Sequence, residues 1–343
     1  MLGPLAAAGG AYALAAWLAG RACRARGGVK IHHVRTKDGW NPGLVEYRGG
    51  DRGTVYLQHG LGSRYTSFDL HPKGGSLARW LAGRGWRVFA GNLRGRAPEG
   101  PRPAGSRLNW NFSDYLVRDV PAHCDFVAQE TGGPFHFVGH SLGGILGLAY
   151  TAGPGARHIR TLTTLGSALH YGAGSSRYAD LLKWRGILEK IPYYPTSWLH
   201  VLWGPLSALK IFSDPWHYNR ENMDSGSVLA YHSQANVDLT RAELLELGTT
   251  FEGEGILCAE LGRRLPELAA RLAVPWLAID AVLDPQCPED TAAWTYAKVS
   301  APAKARVTAS KKAGFSIDYG HLDLVCGRRA PEEIWPLLEK RFG

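Results

Sequence analysis

The sequence predicts an α/β fold: a mostly parallel central sheet flanked by helices, with a helical cap inserted before the strand that bears an acidic residue. Three observations predict it. Short apolar runs alternate with helical stretches along the chain, the pattern of strands joined by helical crossovers. Gly139-His140-Ser141-Leu142-Gly143 lies between a β-forming run and a helix-forming one, the strand–turn–helix setting in which G-x-S-x-G presents a nucleophilic serine. Residues 168–256 differ in texture, with large aromatics such as Trp184, Trp198, Trp203 and Trp216 and chain breaks at Pro192, Pro195, Pro205 and Pro215.

The elements follow in order. Residues 1–20 carry no charge and are rich in Ala, Leu and Gly, and Arg21, Arg24 and Arg26 follow. Twenty apolar residues suffice to cross a bilayer. Positive charge after the apolar stretch, not before it, argues against a cleaved signal peptide and places the catalytic domain in the cytoplasm. Residues 1–28 are thus expected to form an apolar helix that holds the protein at a membrane. The core is expected from residues 29–167 and 257–343, with residues 168–256 as the cap or lid. Within the core, Thr54–Gln58 reads as the first central strand, and residues 86–90, 135–138, 159–165 and 276–282 as further strands. Residues 74–83, 113–131 and 142–151 read as helices, and residues 331–341 as a closing helix with Pro331 at its start.

Chemistry is carried by a few of these residues. Ser141 on a sharp turn needs glycines at 139 and 143, because a side chain there collides with the neighbouring strand or helix. A serine nucleophile on this type of turn is followed in the chain by an acid and then a histidine. Asp284, just past the apolar run 275–283, is the expected acid, because catalytic groups gather at the carboxyl ends of parallel strands. Asp290 at the start of the next helix and Asp280 inside the run are its competitors. His321 is the late histidine among the 13 in the chain. The loop His59-Gly60-Leu61-Gly62 follows the first central strand, so the backbone N–H groups of Leu61 and Leu142 are the expected oxyanion donors. His59, Trp184, Trp203 and Trp216 are expected around the substrate, since such pockets are mostly apolar.

These segments resemble the α/β-hydrolases, and within them the acid lipase branch of gastric and lysosomal lipases. The matching pieces are Gln58-His59-Gly60-Leu61, Gly91-Asn92-Leu93-Arg94-Gly95, Trp110-Asn111-Phe112-Ser113, Asp119-Val120-Pro121-Ala122, Gly139-His140-Ser141 and His321-Leu322-Asp323. They run from about residue 36 to 342, with a poorly matched middle. The resemblance implies an α/β-hydrolase fold and an ester or lipid hydrolase with Ser141, Asp284 and His321 as its triad. Two departures are plain: that branch usually has Gln where Leu142 stands, and its cap is usually longer. The tail from His321 also resembles polyhydroxyalkanoate synthase-like proteins. Those synthases use cysteine as nucleophile, and serine at 141 argues for hydrolysis.

Composition adds bounds. The chain has 343 residues, enough for one large domain with a cap, and no internal repeat. Its net charge of +9 is dispersed and carries no nucleic-acid motif, which leaves an anionic membrane surface as the simpler partner. The five cysteines are widely spaced, and no Cys/His cluster suggests a metal or calls for a cofactor. Reduced thiols are the plain reading. The expected activity is cleavage of a small-molecule carboxylic ester, lipid-like in character, through an acyl-enzyme. An acyltransferase or thioesterase on the same triad, or a non-catalytic protein of the same fold, are the alternatives. Oligomeric state is not legible from the sequence.

Overall fold

The computed structural model describes residues 27–70 and 76–343. Eight strands form one sheet: β1 (Val29–His33), β2 (Gly43–Tyr47), β3 (Thr54–Gln58), β4 (Arg87–Gly91), β5 (Phe135–His140), β6 (Ile159–Leu165), β7 (Trp276–Ala281) and β8 (Lys304–Ala309). Their spatial order is β1-β2-β4-β3-β5-β6-β7-β8. β2 runs antiparallel to both β1 and β4, and every pairing from β4 to β8 is parallel. The sheet is therefore mostly parallel, as the sequence predicts. The chain leaves β3 to one side for β4 and to the other for β5, which opens a crevice at the carboxyl ends of β3 and β5.

Central strands are buried on both faces, so they read as apolar runs. On β3, Val55 and Leu57 join a cluster with Val88, Val138, Ile279 and Trp335. Tyr56 joins the opposite cluster, with Phe89, Phe137, Ile145 and Leu162. This is the two-residue period of a strand. Full burial of Phe89 or Phe137 contributes ~2–3 kcal/mol each.

Helices cover the sheet. α1 (Leu77–Gly83) starts at Ser76, whose side chain accepts the Arg79 N–H. A reciprocal capping box between Asn111 and Asp114 opens the next helical stretch. It continues through a π turn at Tyr115–Asp119 into α2 (Val120–Thr131). Asp119, at the end of the π turn, is fully buried against Arg94, with Nη2–Oδ1 at 2.7 Å. α3 (Leu142–Ala152) follows β5 directly.

The segment between β6 and β7 is a set of short helices, including α4 (Thr196–Ala208) and α5 (Arg241–Gly248). It is pinned to the core through buried charge. Glu243 of α5 accepts from Arg96 Nη2 at 2.7 Å and from the Tyr115 hydroxyl at 2.5 Å. Glu246 accepts the Ser113 N–H at 3.0 Å. The Val237 N–H donates to Gly62 O at 2.9 Å, which ties the insert to the loop after β3. α6 (Glu289–Lys298) lies between β7 and β8, and α7 (Trp335–Phe342) closes the chain.

One expectation is corrected. Residues 1–26, on which the membrane attachment and cytoplasmic placement rested, lie outside the described residues. No helix among the described residues is long and apolar enough to cross a membrane. α3, apolar throughout, has 11 residues, ~16 Å of helix against a hydrocarbon core of ~30 Å. The localisation drawn from the sequence is therefore not supported.

Candidate active site

Ser141 ends β5 and begins α3 with φ 54° and ψ −122°, a left-handed backbone that few non-glycine residues hold. Its surroundings force that geometry. A Cβ at Gly139 would lie 2.4 Å from the Gly143 carbonyl, and one at Gly143 would lie 2.1 Å from Gln58 O. The Ser141 N–H donates to Leu165 O at 2.8 Å, and Ser167 Oγ donates to Ser141 O at 2.9 Å. The turn is thus clamped between β3 and β6. Leu142 opens α3, so its N–H belongs to the unsatisfied first turn at the positive end of the helix.

The loop after β3 lies against this turn. A Cβ at Gly60 would stand 2.9 Å from Ser141 Cβ, so only glycine lets the loop approach the serine. Gly60 and Leu61 line the same cavity as Ser141.

His321 and Asp284 meet at the carboxyl ends of the last strands. His321 Nδ1 lies 2.5 Å from Asp284 Oδ2. The other carboxylate oxygen, Oδ1, accepts the N–H groups of Gln286 at 2.8 Å and Cys287 at 2.9 Å. Both side chains are buried, and a Cβ at Gly166 would lie 3.1 Å from each of the two paired atoms. The competitors are engaged elsewhere. Asp290 is exposed and accepts the N–H groups of Ser175 and Thr291. Asp280 is paired with Arg306 at 2.7 Å and accepts from Thr308.

Ser141 and His321 both line a cavity of about 230 Å³. Its floor includes Gly60, Leu61 and His140 of the core, and its roof includes Thr196, His200, Trp216 and His217 of the insert. A smaller, mostly apolar pocket shares Leu61, Ser141 and Tyr178 with this cavity and is further bounded by Phe112, Leu142, Ile145 and Leu247, with Tyr115 and Glu243 among its polar members.

Of the four residues expected around the substrate, Trp216 lines the cavity and the other three do not. His59 is buried in the core with Nδ1 at 2.8 Å from Gly60 O, and its Nε2 accepts the Leu93 N–H at 3.2 Å. Its ring braces the loop and does not line the cavity. Trp184 is 60% exposed, and Trp203 is 41% exposed and stacked on Phe212. Sequence reasoning missed His140, whose ring centroid is 4.6 Å from that of His321 and whose Nε2 lies 3.1 Å from His321 O. Its place beside Ser141 in the motif was the available signal. Burial, its largest cause, holds the His140 pKa well below the usual histidine value, so this neighbour stays neutral and adds no positive charge beside His321.

The chain belongs to the family described as serine aminopeptidase, S33, an α/β-hydrolase family whose model matches residues 49–312. It is 32% identical over 170 residues to gastric triacylglycerol lipase of Rattus norvegicus, covering 45% of this chain and 39% of that protein. It is 32% identical over 158 residues to triacylglycerol lipase 2 of Arabidopsis thaliana, covering 42% of this chain and 36% of that one. The matched stretch thus spans less than two fifths of either relative's length. Among solved structures, the monoacylglycerol lipase of Paleococcus ferrophilus superposes with a TM-score of 0.60 at 16% identity, covering 88% of this chain and 98% of the other. At that identity the likeness speaks for the fold.

Proposed function

We propose that this protein is a serine hydrolase that cleaves carboxylic esters with an apolar acyl group. The observation that carries the reading is the 2.5 Å pair of His321 Nδ1 and Asp284 Oδ2 beside a cavity shared with the strained Ser141. The names of the lipase relatives support the ester class.

The proposed reaction runs as follows for an ester. Asp284 holds the His321 proton on Nδ1, which leaves Nε2 free to accept. Ser141 Oγ attacks the ester carbonyl carbon and passes its proton to His321 Nε2. The carbonyl oxygen becomes an oxyanion, and the N–H groups of Leu61 and Leu142 receive it. Each such donor contributes on the order of 3 kcal/mol to the transition state. Collapse breaks the C–O bond, and His321 hands its proton to the leaving alcohol. Water then attacks the acyl-enzyme, with His321 again as base, and releases the acid and Ser141. The small, mostly apolar pocket at Ser141 receives the start of the acyl group, while residues 168–256 act as the cap that keeps water away from it.

A serine-directed organophosphate tests this reading. Labelling of the folded protein at one site, located to Ser141 by peptide mass spectrometry and abolished by His321→Ala, is the expected result. Failure to label folded protein would favour a non-catalytic role.

A further inference from the structure

The ester chemistry uses the floor of the cavity and leaves its roof unexplained. That roof holds a connected set of imidazoles. His217 Nδ1 lies 2.9 and 2.8 Å from the two Asp214 oxygens. His200 Nδ1 lies 3.0 Å from His232 Nδ1, and His232 Nε2 lies 3.2 Å from the Tyr218 hydroxyl. Asp214 also stands 3.7 Å from His232 Nε2. His200 and His217, the roof rings that line the cavity, are therefore each held through Nδ1, and Nε2 of each is the atom left for a ligand.

Two of the rings in this cluster are held neutral. Burial, the largest cause in each case, pushes His200 down to about 3 and His232 down to about 4, so both are neutral near pH 7. No Lys or Arg is among the residues that line the cavity, whose other polar members include Thr196, Asn236 and Gln286. The charge nearest the roof histidines is the Asp214 carboxylate. An anionic group there would meet the Asp214 carboxylate with no Lys or Arg in the cavity lining to offset it. A hydroxylated neutral group would meet several hydrogen-bonding partners. A bare alkyl group would leave them unpaired, which costs binding. The smaller pocket at Ser141 is mostly apolar and this cavity is lined by imidazoles, so the two ends of an ester have chemically different places.

We propose that His200 and His217 form a subsite for the leaving alcohol, selecting esters whose alcohol is neutral and bears free hydroxyl groups. The inference rests on Ser141 as the nucleophile of an esterase. It makes the two histidines specificity determinants, held in place by Asp214 and His232.

The test compares octanoyl esters that differ only in the alcohol: glycerol, ethanol and glycerol phosphate. Wild type is expected to favour the glycerol ester over the ethyl ester by about tenfold in kcat/KM, chiefly through KM, with the phosphate ester poorest. His200→Leu and His217→Leu are each expected to lower the glycerol-to-ethyl ratio severalfold, and His217→Gln to restore part of it. A ratio unchanged in both Leu variants, or a wild-type preference for the phosphate ester, overturns the subsite. Calorimetric binding of 1-O-octylglycerol and octyl methyl ether gives an arm free of turnover. Tighter binding of the glycerol ether that is lost in His217→Leu supports the subsite, and equal binding of the two ethers overturns it. If folded wild type hydrolyses none of the esters, the esterase reading fails, and the ether measurement still decides the subsite.

Discussion

Asp284→Asn is the substitution whose outcome the geometry constrains most. The Asp284 Oδ1 accepts two backbone N–H groups, from Gln286 and Cys287, while Oδ2 faces His321 Nδ1 at 2.5 Å. An asparagine has one oxygen and one NH2. Turning the NH2 toward the two backbone donors would bury three donors against one another, so the oxygen stays with the backbone and the NH2 faces His321. The NH2 can only donate, so Nδ1 must accept and the histidine proton moves to Nε2. That tautomer cannot take the Ser141 proton. The shape of the site is kept, and the expected loss in kcat is on the order of 10⁴, or ~5.5 kcal/mol of transition-state stabilisation. The assay is steady-state hydrolysis of p-nitrophenyl butyrate at pH 7, with circular dichroism confirming the fold. Asp290→Asn, which removes an exposed carboxylate bonded to Ser175 and Thr291, is expected to stay near wild type. A folded Asp284→Asn enzyme that keeps more than roughly a tenth of wild-type kcat would refute the tautomer argument. A larger loss in Asp290→Asn would refute the assignment of the acid.

Two further predictions concern stability. Glu243→Gln leaves Arg96 buried without its counter-charge and should destabilise the fold by ~3–5 kcal/mol in urea unfolding; a change below ~1 kcal/mol would show that the pair does not pin the insert. Asp323, fully buried and accepting the Asn219 and Gly320 N–H groups, has its carboxyl raised to about 7, chiefly by burial. Its folded pKa lies above its unfolded value of 3.8, so the folded state holds the proton more tightly and stability falls as pH rises from about 4 to about 7. Asp323→Asn should lack this slope, so the variant should gain on wild type by up to ~4 kcal/mol across that range; a difference that does not change with pH would contradict the burial argument.

The parts of the site legible in the sequence are those with local signatures. The Ser141 turn is written in adjacent residues, because the glycines at 139 and 143 are demanded by backbone contacts with the turn itself and with Gln58. Strands β3 to β7 read as apolar runs because both their faces are covered. β1, β2 and β8 are not legible in this way: β1 and β8 are edge strands, with Lys30, Lys304 and Arg306 exposed or partly exposed, and edge strands carry charge, while the short β2 carries Gly43 and Glu46 among its five residues. The Arg94–Asp119 pair joins two segments of the family resemblance, but no spacing announces that contact. The sequence puts His59 around the substrate; its rotamer, turned to the Leu93 N–H, depends on packing that the sequence does not spell out. Only composition points to Trp184 and Trp203 as pocket residues, and in the fold both are exposed. The roof histidines at 200, 217 and 232 come together only when short helices of the insert pack, so no motif marks them.

Hydrolysis of p-nitrophenyl esters from acetate to palmitate by wild type and Ser141→Ala tests the account most directly. The account predicts turnover that rises as the acyl chain lengthens beyond acetate, and a loss of at least roughly 10³ in the variant. Folded wild type that turns over no ester, or a Ser141→Ala variant that keeps the activity, would contradict it.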